Sequence, residues 1–342
     1  MSRILSAMMM MAIATGVAVA QTNAKPGVVY RGTDSEIAAK DFGYDAKPKR
    51  KYTIAVVVKS AAAPVWESHL IAAKRAGQNL GVDIIAYAPT KADNIEEQKR
   101  ILEDLVTAKV DAVVLAPANT EAVKGPVKDL LAAGIVVVYD NTMGPSDLDY
   151  LSFVGIDSIE AGQEIAKAIG PMIPGKGKLL VLEGVPGQST SDLRIKGIME
   201  YVAKNFPNIY AESAVTMWQF DRGRKVTEDY ITKWGKDLKA VVSVGGNQSE
   251  GAVEALKAAG MSNVIVGGFD VQDPQYVAVK NGGEAFVVSQ GVYDQAYLAV
   301  VAAVRALNGE KVPRLIKTPI AIVTKANLDK MDERPEAMLK RR

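Results

Sequence analysis

Residues 130–141 read LLAAGIVVVYDN, and residues 256–270 read LKAAGMSNVIVGGFD. Each stretch is the end of an amphipathic helix, an Ala-Ala-Gly stop, an apolar run, and an Asp where the run finishes. Glycine just past a helix supplies the left-handed C-cap, and a short uninterrupted apolar run is the pattern of a strand buried on both faces. The same unit therefore occurs in both halves of the chain. Open parallel sheets bind ligands outside the carboxyl ends of their strands. Two such ends, one from each half, would line a crevice from both sides with Asp140 and Asp270. Taken singly, either Asp also reads as a turn former or a helix cap.

The rhythm extends outward in both directions. Tyr52–Val58 (YTIAVVV) reads as a buried strand and Val65–Leu80 as a helix stopped by Gly81. Val82–Tyr87 is the next strand and Asn94–Ala108 the next helix; Lys109–Leu115, Thr120–Ala133, Gly134–Tyr139 and Tyr150–Val154 continue the alternation. In the second half, strands are expected at Lys178–Leu182, Ala240–Val244, Asn263–Gly268, Ala285–Ser289 and Ile320–Val323. Helices are expected near 158–170, 190–205, 222–235, 249–259, 273–281 and 291–308. Strands alternating with helices specify an α/β chain with parallel, doubly wound sheets. Length supports two lobes: of 342 residues, removal of the first 20 leaves 342 − 20 = 322. Single cores stop growing at roughly 250–300 residues.

Those first residues read MSRILSAMMMMAIATGVAVA. Arg3 gives a positive start, residues 7–19 match a secretory apolar region too short to span a bilayer, and Ala18-Val19-Ala20 is a cleavage pattern. Residues 1–20 are expected to be a signal peptide cut after Ala20, leaving Gln21 first in a periplasmic protein; a buried N-terminal helix is the other reading. No Cys follows the cleavage pattern, so a lipid anchor is excluded. Residues 21–51 are expected to be a flexible leader, and the charged stretch 329–342 (DKMDERPEAMLKRR) a frayed tail.

Hydrophobic residues are 48% and charged residues 23% of the chain, a globular composition that argues against disorder. Lys plus Arg is 41 and Asp plus Glu 39, a net of +2, which gives no electrostatic case for nucleic acid. The lack of Cys excludes disulfides, zinc–thiolate sites and thiol nucleophiles, and a single histidine, His69, excludes a two-histidine metal site. No P-loop pattern and no GxGxxG after a strand is present, so neither a metal nor a nucleotide cofactor is expected. Gly184–Arg194 (GVPGQSTSDLR) could receive a phosphate at a helix N-terminus, although Ser189 or Thr190 equally reads as a plain cap. His69 is expected on a helix surface or at the crevice edge.

An enzyme would have to use Asp140 and Asp270 as acid and base, which requires environments that separate their pKa values. A binding protein uses the same positions without that requirement. A polyhydroxylated ligand calls for charged, bidentate hydrogen-bonding groups and an aromatic face for its C–H surface. The strand ends offer Trp66, Asp140, Asn141, Arg194, Phe220, Asn247, Gln248, Asp270 and Gln290.

From about residue 52 to 328 the chain resembles the type I periplasmic sugar-binding proteins, most closely the ribose-binding-protein group that serves ABC transporters. The resemblance is carried, in order, by YTIAVVVKSAAAPVW (52–66), VDAVVLAPANTEAV (110–123), VVVYDN (136–141), Arg194–Gly197, QFDR (219–222), VGGFD (266–270) and Gln290. It implies two Rossmann-like lobes joined by a three-stranded hinge, with crossovers near 153–156, 288–291 and 318–321. Residues 52–154 with 291–319 would form the N-terminal lobe, and 155–290 with 320–328 the C-terminal lobe. It also implies hinge closure on a ligand and docking of the closed form on an ABC permease. By position, the resemblance makes Trp66 the sugar-stacking aromatic and Asp140 a hydroxyl acceptor. Arg194 becomes the ligand-binding Arg of the second lobe, Phe220 the second aromatic wall, Asp270 the second Asp and Gln290 the hinge-proximal Gln. Asn247 or Gln248 occupies the Asn position, with a one-residue length ambiguity in GGNQSEG.

The departures bear on specificity. Lys59 stands where the group has a small polar residue, Ala63 where it has Asn, Val65 where it has an aromatic, and Asn141 where an Arg often follows the Asp. Lys59 also resembles the Lys of the autoinducer-2- and rhamnose-type branches. A short polyol, a pentose or deoxysugar other than ribose, or a sugar acid paired to Lys59 all fit; a Lys59–Asp140 salt bridge without ligand contact is the alternative. A monomeric solute receptor is expected. An exported α/β enzyme acting on a small sugar, or a component presenting its ligand to a chemoreceptor or sensor, are the other readings. The family's DNA-binding repressor branch is disfavoured by the export signal, the near-neutral charge and the lack of an N-terminal helix-turn-helix.

Overall fold

The computed structural model describes residue 28 and residues 30–340. The expected signal peptide and its cleavage site lie outside the described residues. In chain order the strands and helices are β1 (Thr33–Ala38), α1 (Ala39–Phe42), β2 (Thr53–Val57), α2 (Pro64–Leu80), β3 (Asp83–Tyr87), α3 (Ile95–Thr107), β4 (Ala112–Leu115), α4 (Lys124–Ala132), β5 (Val136–Asp140) and β6 (Ser152–Gly155). The second half supplies α5 (Ser158–Ile169), β7 (Gly177–Glu183), α6 (Ser189–Asn205), β8 (Ile209–Val215), α7 (Phe220–Trp234), β9 (Leu238–Ser243), α8 (Gly246–Ala258), β10 (Ile265–Phe269), α9 (Asp273–Asn281) and β11 (Phe286–Ser289). The chain closes with α10 (Val292–Leu307), β12 (Pro313–Lys317), β13 (Ala321–Val323) and α11 (Pro335–Met338).

A seven-stranded sheet runs β1-β12-β6-β5-β4-β2-β3 and a six-stranded sheet β13-β11-β10-β9-β7-β8. Burial on both faces explains the uninterrupted apolar strands: Ile54 and Val56 of β2 enter one core, Ala55 and Val57 the other. The second sheet is covered on both faces in the same way. α10 is buried on nearly every side and packs on α2, as a helix apolar all round must. The chain leaves the first sheet after β6, returns after β11 and leaves again after β12.

Five strands of each sheet have one order, β3-β2-β4-β5-β6 and β8-β7-β9-β10-β11. Each lobe is therefore doubly wound, with its switch point between β2 and β4 or between β7 and β9, and both switch points present loops at strand carboxyl ends.

Several expectations are corrected. Part of the 21–51 leader is structured: β1 pairs in parallel with β12, and the Phe42 side chain is buried with the Arg305 guanidinium 4.3 Å above its ring. The 329–342 tail is not frayed over its described part. Glu333 and Met338 are buried, the Glu333 carbonyl accepts from Ser68 Oγ of α2 at 2.8 Å, and its carboxylate accepts from Ser289 Oγ at 2.7 Å beside β11. β13 is antiparallel to β11, because it follows the short return from β12 rather than a helix. β8 and β12 escaped the sequence reading. His69 is buried at 1% exposure, not on a surface.

Candidate functional site

The loops at the two switch points enclose a cavity of about 530 Å³ lined by both lobes. Of the residues singled out in the sequence, Lys59, Trp66 and Asn141 line it from the first lobe, and Arg194, Phe220, Asn247, Gln248, Asp270 and Gln290 line it from the second or from the hinge. Asp140 does not. Its Oδ2 is hydrogen-bonded to His69 Nε2 in a pocket where both side chains are 1% exposed, and Trp66 meets the His69 ring edge-on at 5.3 Å. The pairing of Asp140 with Asp270 as matched crevice carboxylates is thereby corrected, and so is the alternative Lys59–Asp140 bridge.

Instead, one directed chain of hydrogen bonds runs along the cavity. Lys59 Nζ donates to Thr142 Oγ1 at 2.9 Å, and Thr142 Oγ1 donates to Asn141 Oδ1 at 3.2 Å. Asn141 Nδ2 then donates to Gln290 Oε1 at 3.0 Å, and Gln290 Nε2 to Asp270 Oδ1 at 2.6 Å. Arg194 Nη2 also donates to Gln290 Oε1 at 2.9 Å, while Arg194 Nη1 caps the carbonyl of Val244 at the end of β9 at 2.9 Å. The Arg194 guanidinium rests 3.8 Å over the Phe269 ring, so its apolar face is packed and only its edge is polar.

Four polar atoms of the lining residues find no partner among the described residues: Thr190 Oγ1, Arg194 Nε, Gln248 Oε1 and Gln275 Nε2. Gln248 spends its Nε2 on backbone carbonyls of β7 at 3.4 Å, and Asn247 directs its Nδ2 to the Trp218 carbonyl at 3.3 Å. Both line the cavity, and only Gln248 keeps a buried atom unspent.

Burial sets the electrostatics. It pushes Lys59 down to about 8; Asp93 and Asp270 oppose the shift and Arg194 adds to it. It lowers Arg194 to about 10, so the guanidinium stays charged at neutral pH, and it raises Asp270 and Asp93. Lys59 and Arg194 thus face one space with Asp93 and Asp270, and the exposed Asp221 also lines it.

Sequence reasoning missed Trp218, Asp93 and Gln188. Met217 and Trp218 both have positive φ, 58° and 59°, a conformation that local preference assigns to Gly, Asn or Asp. The indole is seated on two glycines: a Cβ at Gly184 would come within 2.1 Å of its ring and one at Gly245 within 2.7 Å. Gly184 therefore makes room for a side chain rather than for a phosphate.

Two doubly wound lobes, crossed three times by the chain and enclosing a polar, aromatic-walled cavity, define a two-lobed solute-binding protein. The chain belongs to the periplasmic binding protein family: residues 54–311 match the model described as "Periplasmic binding protein domain". It is 30% identical over 249 residues to the "Putative rhizopine-binding protein" of Rhizobium meliloti, covering 69% of this chain and 78% of that one. It is 26% identical over 278 residues to the ribose import binding protein of Bacillus subtilis, covering 81% and 88%. Among solved structures, an ABC transporter solute-binding protein from Agrobacterium vitis with bound D-fucose superposes with TM-score 0.78 at 29% identity, over 84% of this chain and 99% of that one. A carbohydrate transporter solute-binding protein from Agrobacterium radiobacter in complex with D-arabinose gives 0.77 at 26% identity, over 85% and 100%.

Proposed function

We propose that this chain captures a small neutral sugar or polyol between its lobes and delivers it to an ABC import permease. The observation that carries the reading is the set of buried, unspent atoms of the cavity lining: the donors Arg194 Nε and Gln275 Nε2, the acceptor Gln248 Oε1 and the hydroxyl Thr190 Oγ1. Buried polar atoms require partners, and a hydroxyl supplies both kinds at once. Trp66 and Phe220 offer faces for C–H surfaces. The balance of Lys59 and Arg194 against Asp93 and Asp270 favours an uncharged ligand over a sugar acid. D-fucose and D-arabinose in the two relatives belong to the same chemical class.

In this reading Lys59, Trp66, Asn141, Arg194, Phe220, Gln248, Asp270 and Gln290 contact the ligand, and Asp140 supports the wall through His69. The mature protein is a monomer, exported by residues 1–20. Presentation of the loaded form to a chemoreceptor is compatible with the same closure. A thermal-shift panel of pentoses, hexoses, deoxysugars, polyols and aldonic acids tests the reading. A ligand at 100 times its dissociation constant adds roughly 2.7 kcal/mol. A shift of several degrees with a neutral member is expected; a shift confined to acids would overturn the neutral class, and none at all would overturn the reading.

A further inference from the structure

Gln188 lies in the loop before α6, in the second lobe, and is wholly buried. Its side-chain amide uses every hydrogen-bonding position it has. Oε1 accepts from Lys59 Nζ at 3.0 Å and from Trp218 Nε1 at 2.9 Å. Nε2 donates to Asp93 Oδ1 at 2.7 Å and to the Ala118 carbonyl at 2.8 Å. The partners dictate the orientation of the amide, since a flipped group would set its NH₂ against an ammonium and an indole N–H. Lys59, Asp93 and Ala118 belong to the first lobe and Trp218 to the second. Lys59 Nζ also lies 5.3 Å from the Trp66 ring centre and 5.8 Å from that of Trp218, between aromatics of opposite lobes. Lys59, Trp66, Trp218 and Asp93 all line the cavity; Gln188 stands behind them.

Resting on the solute-binding reading above, we propose that Gln188 is a positioning residue for ligand recognition. It couples Lys59 of one lobe to Trp218 of the other, so that the cationic–aromatic wall of the cavity is assembled only when the lobes close. The ammonium has three donors, of which Thr142 and Gln188 take two, and the remaining one is available to a ligand oxygen. Without Gln188, the ammonium and the indole N–H would each lose a buried acceptor, and Asp93 a donor. The two consecutive left-handed residues that carry Trp218, and the glycines that clear its ring, are a conformational cost met only if the indole has a fixed destination. By holding a donor in place, the wall selects a ligand with a hydroxyl or carbonyl oxygen at this end and rejects an ammonium.

The test has a ligand-free arm and a ligand arm. The chain has three tryptophans, so the ¹⁵N-labelled protein gives three indole N–H signals, and Trp218→Phe identifies one. In Gln188→Met the Trp218 indole signal is expected to move and to lose hydrogen-exchange protection by roughly tenfold or more; Lys59→Met is expected to move the same signal. Affinity for D-fucose and D-arabinose is expected to fall roughly tenfold or more in Gln188→Met. The loss should be much smaller when the substitution is made on a Lys59→Met background, because the two residues act through one another. Gln188→Asn, which keeps the amide but shortens it, should show the same pattern if the Met variant does not fold. An indole signal indifferent to Gln188, or additive losses in the double variant, would overturn the proposal. If the wild-type chain bound no neutral sugar or polyol, the solute-binding reading would fail separately, and the indole arm would still decide the role of Gln188.

Discussion

Asn141, and not Asp140, is the structural counterpart of Asp270. The Asn141 amide nitrogen donates to the carbonyl of Val154 in β6 at 3.0 Å, and the Asp270 amide nitrogen to that of Val288 in β11 at 2.8 Å, equivalent places in the two sheets. Both residues have positive φ, 59° and 67°, which Asn and Asp tolerate better than other side-chain-bearing residues. The Gln290 side chain joins them, accepting from one and donating to the other. Asp140 sits one residue earlier, in register with Phe269, and like it points into the packed layer beneath the cavity.

This offset separates stability from binding. Replacing His69 by Ala leaves Asp140 buried without its partner and is expected to cost about 1–3 kcal/mol in urea denaturation. Ligand affinity of the folded variant should change by less than it does in Asp270→Ala. Equal stability of wild type and His69→Ala would contradict the pairing.

Lys59 is expected to make binding sensitive to pH. In the free protein its ammonium titrates at about 8, with Asp93, Arg194 and Asp270 as the facing charges. A ligand oxygen that accepts from the ammonium holds the proton more tightly. Affinity should therefore be flat below that value and weaken above it, by up to tenfold per pH unit. The depressed value also means that the unfolded chain binds more protons between about 8 and 10.5, so stability of the free protein gains with pH across that window. Lys59→Met should abolish both dependences in calorimetric titrations and melting curves run across the range; a pH-independent wild type would contradict the contact.

Glu284 acts with the opposite sign in a lower window. It is 1% exposed, lies beside Ser249 and Gly268, and burial pushes its carboxyl from 4.5 up to about 8. The folded state binds the extra proton between those values, so stability falls as pH rises through them. Glu284→Gln mimics the protonated acid. Its urea midpoint should pull ahead of wild type progressively from about pH 5 to pH 8, and parallel curves would sink the assignment.

What the sequence disclosed and what it withheld follow from the range of the forces involved. YTIAVVV announces β2 because burial on both faces leaves no polar position in the strand. β8 did not announce itself because it is an edge strand: Tyr210 is 57% and Val215 41% exposed, so its pattern resembles a loop. β12 opens with Pro and carries Arg and Lys, and β1 reads TDSEIA, poor strand formers held by pairing to a neighbour far along the chain. At the site, the strand-end positions were legible because topology fixes where strands end. The side-chain choice between Asp140 and Asn141 depended on one residue of register, and Gln188 and Trp218 on contacts across the cleft, for which no local pattern exists.

Asp270, Arg194 and their partners are proposed to hold a neutral hydroxylated solute in the cavity. Isothermal titration of the mature chain and of Asp270→Ala with the tightest ligand of the panel tests this most directly. The wild type should give a saturable one-to-one isotherm, and Asp270→Ala an affinity lower by roughly 10-fold or more, through the hydroxyl and Gln290 left unpaired. An unchanged affinity in Asp270→Ala, or no saturable heat with any neutral sugar or polyol, would contradict it.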